Sequence, residues 1–200
     1  MDYWDRLGWR DPFSDHGWSL RQHEYVRALR VANGAYTPQL VVNGQTQLNG
    51  ANARGALVAV DAALLRPAPA LLEIRAQPGD VAKPVLTLDA SVEMLEDFEG
   101  DRLELRVALF ENGLLTHVSG GENGGRTLRN DFIVRRLVTA FSLAPSKGIR
   151  KQGQVRFELS HRWKAENVGV AAFLQDPKSM RILAATALSP PPPPGSDDLP

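Results

Sequence analysis

The sequence predicts an α+β protein in which a helical N-terminal third precedes an antiparallel β-sandwich. Alternating apolar and polar residues recur in seven short runs after residue 69, and turn pairs such as Asn112-Gly113 separate the runs. The N-terminal third shows two stretches of helical spacing on either side of a hairpin signal. Residues 66–69 separate the two patterns, because their prolines cannot continue a helix. The predicted units are an N-terminal domain over residues 1–66, a sandwich over 70–188 and a proline-rich tail over 189–200.

The first helix is expected over residues 19–29, where apolar residues fall loosely at helical spacing. Ser19 is a candidate N-cap, and Gln22 three residues later completes a capping box. Asn33-Gly34 marks the end of the helix, because both residues tolerate a positive φ. The Thr37-Pro38 pair then requires extended backbone before the next apolar run.

A β-hairpin is expected next, because Asn43-Gly44 lies between two short apolar runs and is the strongest sequence signal for a type I′ turn. Its strands are expected over residues 39–42 and 45–48. A second helix is expected over residues 51–65, where one stripe of apolar side chains recurs at helical spacing. The stripe consists of Ala56, Leu57, Val60, Ala63 and Leu64.

The sandwich strands are expected where apolar runs are bounded by turn residues. These runs are residues 70–76, 85–94, 103–110, 114–119, 155–159, 168–175 and 181–187. Residues 131–141 carry a mixed apolar pattern that fits either a helix or a strand. Residues 189–200 contain five successive prolines, so we expect a polyproline or disordered tail that contributes nothing to the core.

The composition is that of an ordinary globular protein, with 43% hydrophobic and 23% charged residues. Basic and acidic side chains number 23 each, so no overall field favours nucleic acid or an anionic membrane as a partner. No run reaches the roughly 18 apolar residues of a membrane span, and no leader-like N-terminus is present, so a cytoplasmic location is expected for the sequence as written. Residues 89–104 are mainly acidic and residues 126–151 mainly basic, which fits paired surfaces or a binding face.

The absence of cysteine limits the chemistry of this chain. It excludes thiol catalysis, disulfides and sulfur-ligated metals. The four histidines, His16, His23, His117 and His161, show no metal-ligand spacing. No serine stands in a Gly-x-Ser-x-Gly elbow. The sequence therefore supports no catalytic residue, no metal and no cofactor.

Aromatic and acidic residues are concentrated at the N-terminus, where three of the four tryptophans lie within the first eighteen residues. This mixture fits a pocket whose aromatic rings stack a planar or apolar ligand while carboxylates orient it. It also fits tryptophans that anchor an irregular loop onto a sheet, with aspartates that bond local backbone. Tyr3, Trp4, Asp5 and Trp9 are the candidate binding residues of this segment.

A glycine-rich stretch over residues 120–127 nearly matches a phosphate-binding P-loop, with Arg126 in place of the lysine. A forked guanidinium replaces that lysine poorly, and no alternating βαβ pattern surrounds the segment. We predict instead a flexible turn between sandwich strands, in which Glu122 and Arg126 form a structural ion pair.

Four segments together resemble the DUF1223 family, a thioredoxin-like family of domains of unknown function. The segments are residues 2–13, Arg21-Gln22, residues 36–44 and residues 121–128. The resemblance covers most of the chain, from residue 2 to about residue 188. It implies that a thioredoxin-like domain precedes a β-rich C-terminal domain and that bacterial members tend to be exported. It brings no settled activity.

The sequence departs from the family pattern at its start, because it opens at the Asp-Tyr-Trp-Asp motif where relatives have an earlier strand, a cysteine-bearing turn and a helix. The fold is therefore expected to be a truncated thioredoxin-like α/β unit followed by the sandwich. Such a unit lacks the central strand against which residues 40–42 would pair, and an unpaired strand edge invites association. Three explanations account for the missing strand: the start is misassigned, the sequence is a fragment, or a partner supplies the strand.

In a thioredoxin-like fold, a cis proline before a strand presents backbone polar groups to an extended substrate. Tyr36, Thr37, Pro38 and Gln39 are therefore candidate residues for binding a protein or peptide without any thiol, although this proline can simply fix the entry of the strand. We expect a redox-inactive binding or interaction protein. The alternative is an incomplete version of a thiol-disulfide oxidoreductase whose cysteine motif lies upstream.

Overall fold

Two α-helices and eleven β-strands follow one another in residues 1–77 and 84–190, the parts of the chain that the computed structural model describes. The helices are α1 (His16–Ala28) and α2 (Ala53–Leu64). The strands are β1 (Gln39–Val42), β2 (Thr46–Asn49), β3 (Ala70–Ala76), β4 (Val85–Met94), β5 (Leu103–Glu111), β6 (Leu114–His117), β7 (Thr127–Asn130), β8 (Ile133–Leu143), β9 (Arg150–Glu158), β10 (Val168–Gln175) and β11 (Ile182–Leu188). Short 3₁₀ helices cover Asp2–Trp4 and Ala165–Asn167.

The sandwich consists of two antiparallel sheets that share one core. The first sheet has the order β11-β10-β5-β8, and the second has the order β3-β4-β9. Alternate residues of each strand point inward, as the period of two requires. Leu105 and Leu109 of β5 and Leu88 of β4 are fully buried in the resulting apolar cluster. The predicted α+β fold with an antiparallel sandwich is therefore confirmed.

Strand β8 covers most of residues 131–141, the segment whose sequence pattern fits either a helix or a strand. Its residues pair with β5 from Leu103↔Leu143 to Glu111↔Ile133, with two register shifts. This pairing explains the mixed apolar pattern, because bulges interrupt the strict alternation that identifies a strand. β6 and β7 form a separate two-stranded ribbon, and the glycine-rich residues 120–125 connect them.

Helix α1 begins three residues earlier than predicted, and its N-cap is Asp15 instead of Ser19. The Asp15 carboxylate accepts a hydrogen bond from the Gly17 N–H at 2.7 Å and so satisfies a donor of the first turn. Ser19 lies inside the helix and is buried, and its hydroxyl donates to the Asp2 carboxylate. A capping box read from spacing alone could not distinguish these two starts.

The β1–β2 hairpin has the predicted Asn-Gly turn, with Asn43 and Gly44 both at positive φ, 50° and 66°. Within the described residues, β1 and β2 pair only with each other. The tip of the hairpin contacts the start of β11, because the Ile182 N–H donates to the Asn43 carbonyl at 2.9 Å. Gly44 is buried there, and a Cβ at this position would lie 1.9 Å from the Met180 carbonyl oxygen.

Helix α2 contributes no buried side chain to the described part of the chain. Leu57 is 66% exposed and Leu64 is 78% exposed, although both belong to the predicted apolar stripe. The stripe is present at helical spacing: α2 contacts β1 and β2, and Ala56 and Ala63 are half-buried, but the large apolar side chains of the stripe stay exposed. The proposed domain limits remain predictions, and residues 191–200 of the predicted tail lie outside the described residues. No helix in the described residues is long and apolar enough to cross a bilayer.

Candidate functional site

A cleft of about 270 Å³ lies where the N-terminal segment, the Thr37-Pro38 turn and the glycine-rich loop meet. It collects residues that are far apart in sequence, including four of the candidates predicted above. Its lining consists of Met1, Trp4, Asp5, Leu7, Trp9, Asp11, Thr37, Val118 and residues 120–123. Aromatic surface and carboxylates thus face the same space, as expected for a site that orients a partly apolar ligand.

The wall formed by the N-terminal segment is organised by Asp5. Its carboxylate accepts hydrogen bonds from the Ser14 hydroxyl at 2.6 Å and from the Asp11 N–H at 3.3 Å, and Arg10 lies 3.6 Å away. Asp11 in turn accepts from the Phe13 N–H at 2.9 Å. Both carboxylates therefore hold the loop that presents Trp9, as local bonds of aspartate side chains commonly do.

The opposite wall is the glycine-rich loop, whose backbone approaches the N-terminal segment closely. A Cβ at Gly120 would lie 2.7 Å from the Gly8 carbonyl oxygen, so only glycine allows this contact. The loop connects two antiparallel strands and is not followed by a helix, so it lacks the structural context of a P-loop. Its glycines bring two backbones together instead.

The predicted ion pair between Glu122 and Arg126 is not formed. Both side chains are exposed, and the Arg126 Nη1 donates to the Asn123 Oδ1 at 3.3 Å. The prediction failed because residues four apart face each other on a helix, whereas the Gly124-Gly125 turn separates them here. The Glu122 carboxylate has no hydrogen-bond or ion-pair partner within the described residues, and it lines the cleft.

Behind the cleft, the buried side chain of Gln22 joins three segments. Its Oε1 accepts from the Tyr3 hydroxyl at 2.8 Å, and its Nε2 donates to the Tyr36 carbonyl at 2.7 Å and to the Gln39 Oε1 at 3.0 Å. The Tyr36 hydroxyl donates to Gln47. Tyr3, Tyr36 and Gln39 therefore support the site from behind and do not line it. Sequence reasoning missed Gln22 as the connecting residue, because only the fold shows what lies opposite it.

The Thr37-Pro38 peptide bond is cis. The Pro38 carbonyl accepts a hydrogen bond from the Gly50 N–H at 2.8 Å, so this group is satisfied within the chain. Thr37 is different: within the described residues, neither its backbone N–H nor its carbonyl makes a hydrogen bond. Thr37 is exposed and lines the cleft, so its backbone groups are available to a ligand.

A polar contact at the N-terminus fixes the start of the chain on α1. The Asp2 carboxylate accepts from the Ser19 hydroxyl and lies 2.9 Å from the His16 Nδ1. The hydrogen bond from Ser19, and then that from His16, lowers the pKa of Asp2. Across residues 1–77 and 84–190, no group of three potential metal ligands comes together.

Two solved structures of Porphyromonas gingivalis proteins are similar to the chain. HBP35 of Porphyromonas gingivalis is similar with a TM-score of 0.55 and 15% identity, over 83% of this chain and 55% of that one. The chain therefore spans about half the length of that structure. A domain of the outer membrane lipoprotein Omp28 from Porphyromonas gingivalis has a TM-score of 0.36 and 15% identity, over 62% of this chain and 89% of that one. At this identity, the likeness to HBP35 concerns the fold alone.

No curated protein matches the chain. The family described as "Protein of unknown function (DUF1223)" matches residues 1–175, which include the N-terminal motif, the cis proline and most of the sandwich. The chain therefore belongs to the DUF1223 family.

Proposed function

We propose that this protein binds an extended peptide in the cleft between Trp4, Trp9 and Thr37 and carries out no redox reaction. The observation that carries the proposal is Thr37, which lines the cleft beside Trp4 and Trp9 and whose backbone N–H and carbonyl make no hydrogen bond within the described residues. A free backbone donor and acceptor on one residue directly before β1 match the hydrogen bonds that an added peptide strand makes.

The chemistry of the cleft favours a peptide with an apolar side chain next to a basic one. Trp4 is 45% exposed and offers ring surface to an apolar group. Asp5 and Asp11 use their carboxylates within the loop, which leaves Glu122 to receive a cation. A volume of about 270 Å³ lies just below the range of typical small-molecule sites, so it suits one or two side chains better than a large cofactor.

The order α1-β1-β2-α2 supports a thioredoxin-like N-terminal unit, since an antiparallel hairpin between two helices forms the second half of that fold. The chain contains no cysteine, so it cannot exchange thiols itself. Such a unit can still bind a peptide through backbone contacts, because this binding requires no sulfur.

The proposal is tested by titrating the ¹⁵N-labelled full chain with blocked heptapeptides that carry leucine beside a central lysine. We expect the Thr37 amide and the indole signals of Trp4 and Trp9 to shift together. Trp9→Ala is expected to weaken binding about tenfold or more, because truncation of a central aromatic anchor commonly costs about 2 kcal/mol. Unchanged affinity of this variant would contradict the proposed site.

The role of Glu122 is separated from general charge effects with a matched pair of variants. Glu122→Gln is expected to abolish the preference for a central lysine over a central glutamine in the peptide. Glu99→Gln removes the same charge from an exposed loop outside the cleft and is expected to leave that preference intact. Equal effects of both variants would assign the preference to net charge and not to the cleft.

A further inference from the structure

A second cleft, of about 540 Å³, lies between the N-terminal loop, strand β8 and the turn at residues 160–163. It shares no lining residue with the first cleft. Its character is basic and aromatic, because Arg135, Arg136 and Arg162 line it together with Phe13 and Trp163.

A buried carboxylate holds this cleft in shape. Glu111 is 1% exposed, and its Oε2 accepts a hydrogen bond from the Arg135 Nε at 2.8 Å and lies 2.8 Å from the Arg135 Nη2 in an ion pair. Its Oε1 accepts from the Lys164 N–H at 3.1 Å. The same side chain thus fixes β8 and the segment that carries Arg162 and Trp163. A buried ion pair with charge-assisted hydrogen bonds gives a defined geometry before any ligand arrives.

Arginines and aromatic rings alternate across the cleft. The Arg135 Cζ lies 4.9 Å from the Phe13 ring centroid and 5.9 Å from that of Trp163. The Arg136 Cζ lies 5.4 Å from the Trp163 centroid. Stacking on a ring restrains the guanidinium plane while its edge keeps donors for a further partner.

Two positive charges in the cleft remain uncompensated. Glu111 neutralises Arg135, whereas Arg136 and Arg162 have no carboxylate within ion-pair distance in the described residues. The Arg136 Nη1 donates only to the Arg135 carbonyl, at 2.9 Å. The one acidic residue that lines this cleft in the described part of the chain is Asp15, and its carboxylate caps α1.

We infer that this second cleft binds an acidic peptide segment, with carboxylates received by Arg136 and Arg162. Paired guanidinium forks match carboxylates in shape and charge. Phosphate sites commonly use helix N-terminal N–H groups, but the carboxylate of Asp15 already occupies that position at α1 and repels a phosphate. The chain has no net charge, so no overall field draws it to nucleic acid.

The test measures fluorescence polarisation of labelled hexaglutamate and hexaglutamine peptides with the full chain at low salt. We expect binding of hexaglutamate, absence of binding of hexaglutamine, and weakening as salt rises. Arg136→Gln and Arg162→Gln are each expected to lower affinity about fivefold to tenfold, as the loss of one exposed charge-assisted contact does. Both side chains are exposed, and melting curves verify that the variants are folded.

Arg54→Gln serves as the matched control, because it removes one exposed guanidinium from α2, outside both clefts. We expect it to bind hexaglutamate like the unmodified chain. Equal loss in all three variants would overturn the inference, since it would show attraction by general charge. Tighter binding of a labelled oligothymidylate that is lost in Arg136→Gln would also overturn it and identify a nucleic-acid site instead.

Discussion

Gly44 shows how one residue can join two parts of the chain. It occupies the left-handed region at φ 66°, which the type I′ turn requires, and it lies against the backbone of Met180. The sequence signal Asn-Gly predicts the first property correctly. It could not predict the second, because contact with a residue 136 positions away depends on the whole fold.

Gly44→Ala is expected to lower the free energy of unfolding by about 2–4 kcal/mol. A Cβ in the left-handed region costs about 1–2 kcal/mol, and the contact with the Met180 carbonyl adds an overpacking cost of similar size. Urea denaturation followed by tryptophan fluorescence measures the difference.

Gly34→Ala is the control for Gly44→Ala. Gly34 also has a positive φ, 73°, but no atom lies within 4 Å of the position that a Cβ would take. We expect Gly34→Ala to lower the free energy of unfolding by about 1–2 kcal/mol, the cost of placing a Cβ in the left-handed region. Equal losses in the two variants would show that the contact with Met180 contributes nothing to stability.

At the scale of elements, the turn between β10 and β11 depends on one carboxylate. Asp176 is 5% exposed and accepts from the N–H groups of Lys178 and Ser179, at 3.1 and 3.0 Å, and from the Ser179 hydroxyl. Burial raises the pKa of Asp176, but these hydrogen bonds and the charge of Lys178 outweigh it, so the pKa lies below its ordinary value of 3.8.

This shift predicts how the turn responds to pH. A carboxyl group whose pKa is lowered by folding stabilises the protein above its ordinary pKa and loses that contribution as pH falls through the folded value. Asp176→Asn is therefore expected to destabilise the protein by about 1–2 kcal/mol at neutral pH, and by progressively less below about pH 4. Urea denaturation at several pH values measures the difference.

Asp61→Asn is the control, because it changes an exposed carboxylate on α2 that accepts no side-chain hydrogen bond within the described residues. Its effect is expected to stay within about 0.5 kcal/mol at every pH. A loss in Asp176→Asn that does not shrink in acid would show that the charge of Asp176 is not what stabilises the turn.

The elements themselves were predictable to different degrees. Strands β3, β4 and β10 begin and end where their apolar runs do, because Gly, Pro and Asp bound those runs and alternation has a short, local period. The predicted start of α1 was wrong, because Asp15 and Ser19 both have side chains that commonly cap helices. The first cleft was partly predictable: Trp4, Asp5, Trp9 and Thr37 were candidates, but the glycine-rich loop opposite them was predicted only as a turn between strands, with no part in a site.

The second cleft was missed, because its parts carry no shared local signal. Phe13, Arg135 and Trp163 come from three distant segments, and only the sheet brings them together. In the sequence, Glu111 looks like an ordinary charged residue at the end of a strand. Its burial depends on long-range pairing of β5 with β8 and β10, which no window of neighbouring residues contains.

At the scale of the whole molecule, α1 contacts the side of the four-stranded sheet that faces away from the sandwich core. Arg21 takes part in this contact: its Cζ lies 5.5 Å from the ring centroid of Phe173 on β10 and 5.1 Å from that of Tyr25 on α1. Its Nη2 also donates to the Gln175 Oε1 at 3.0 Å. Burial lowers the pKa of Arg21, although an arginine keeps its charge at any ordinary pH.

Arg21→Lys is expected to weaken the contact between α1 and the sheet by about 1–2 kcal/mol, because lysine lacks the planar fork that stacks on two rings and bonds Gln175. Faster hydrogen exchange of the α1 amides, with the sandwich amides unchanged, is the expected readout. Arg27→Lys, an exposed arginine of the same helix, is expected to leave exchange unchanged. Identical exchange in both variants would contradict the role given to Arg21.

The docking of the β1–β2 tip on β11 has a practical consequence for anyone who wishes to produce the sandwich by itself. Truncation at residue 70 would strip away the Asn43 carbonyl that receives the Ile182 amide and leave Gln175 without Arg21 and Tyr25. Such a recombinant fragment would expose to water the polar groups and ring faces that the N-terminal residues cover in the full chain. An expressed sandwich should therefore include the first 66 residues, although the prolines of residues 66–69 mark a predicted domain boundary.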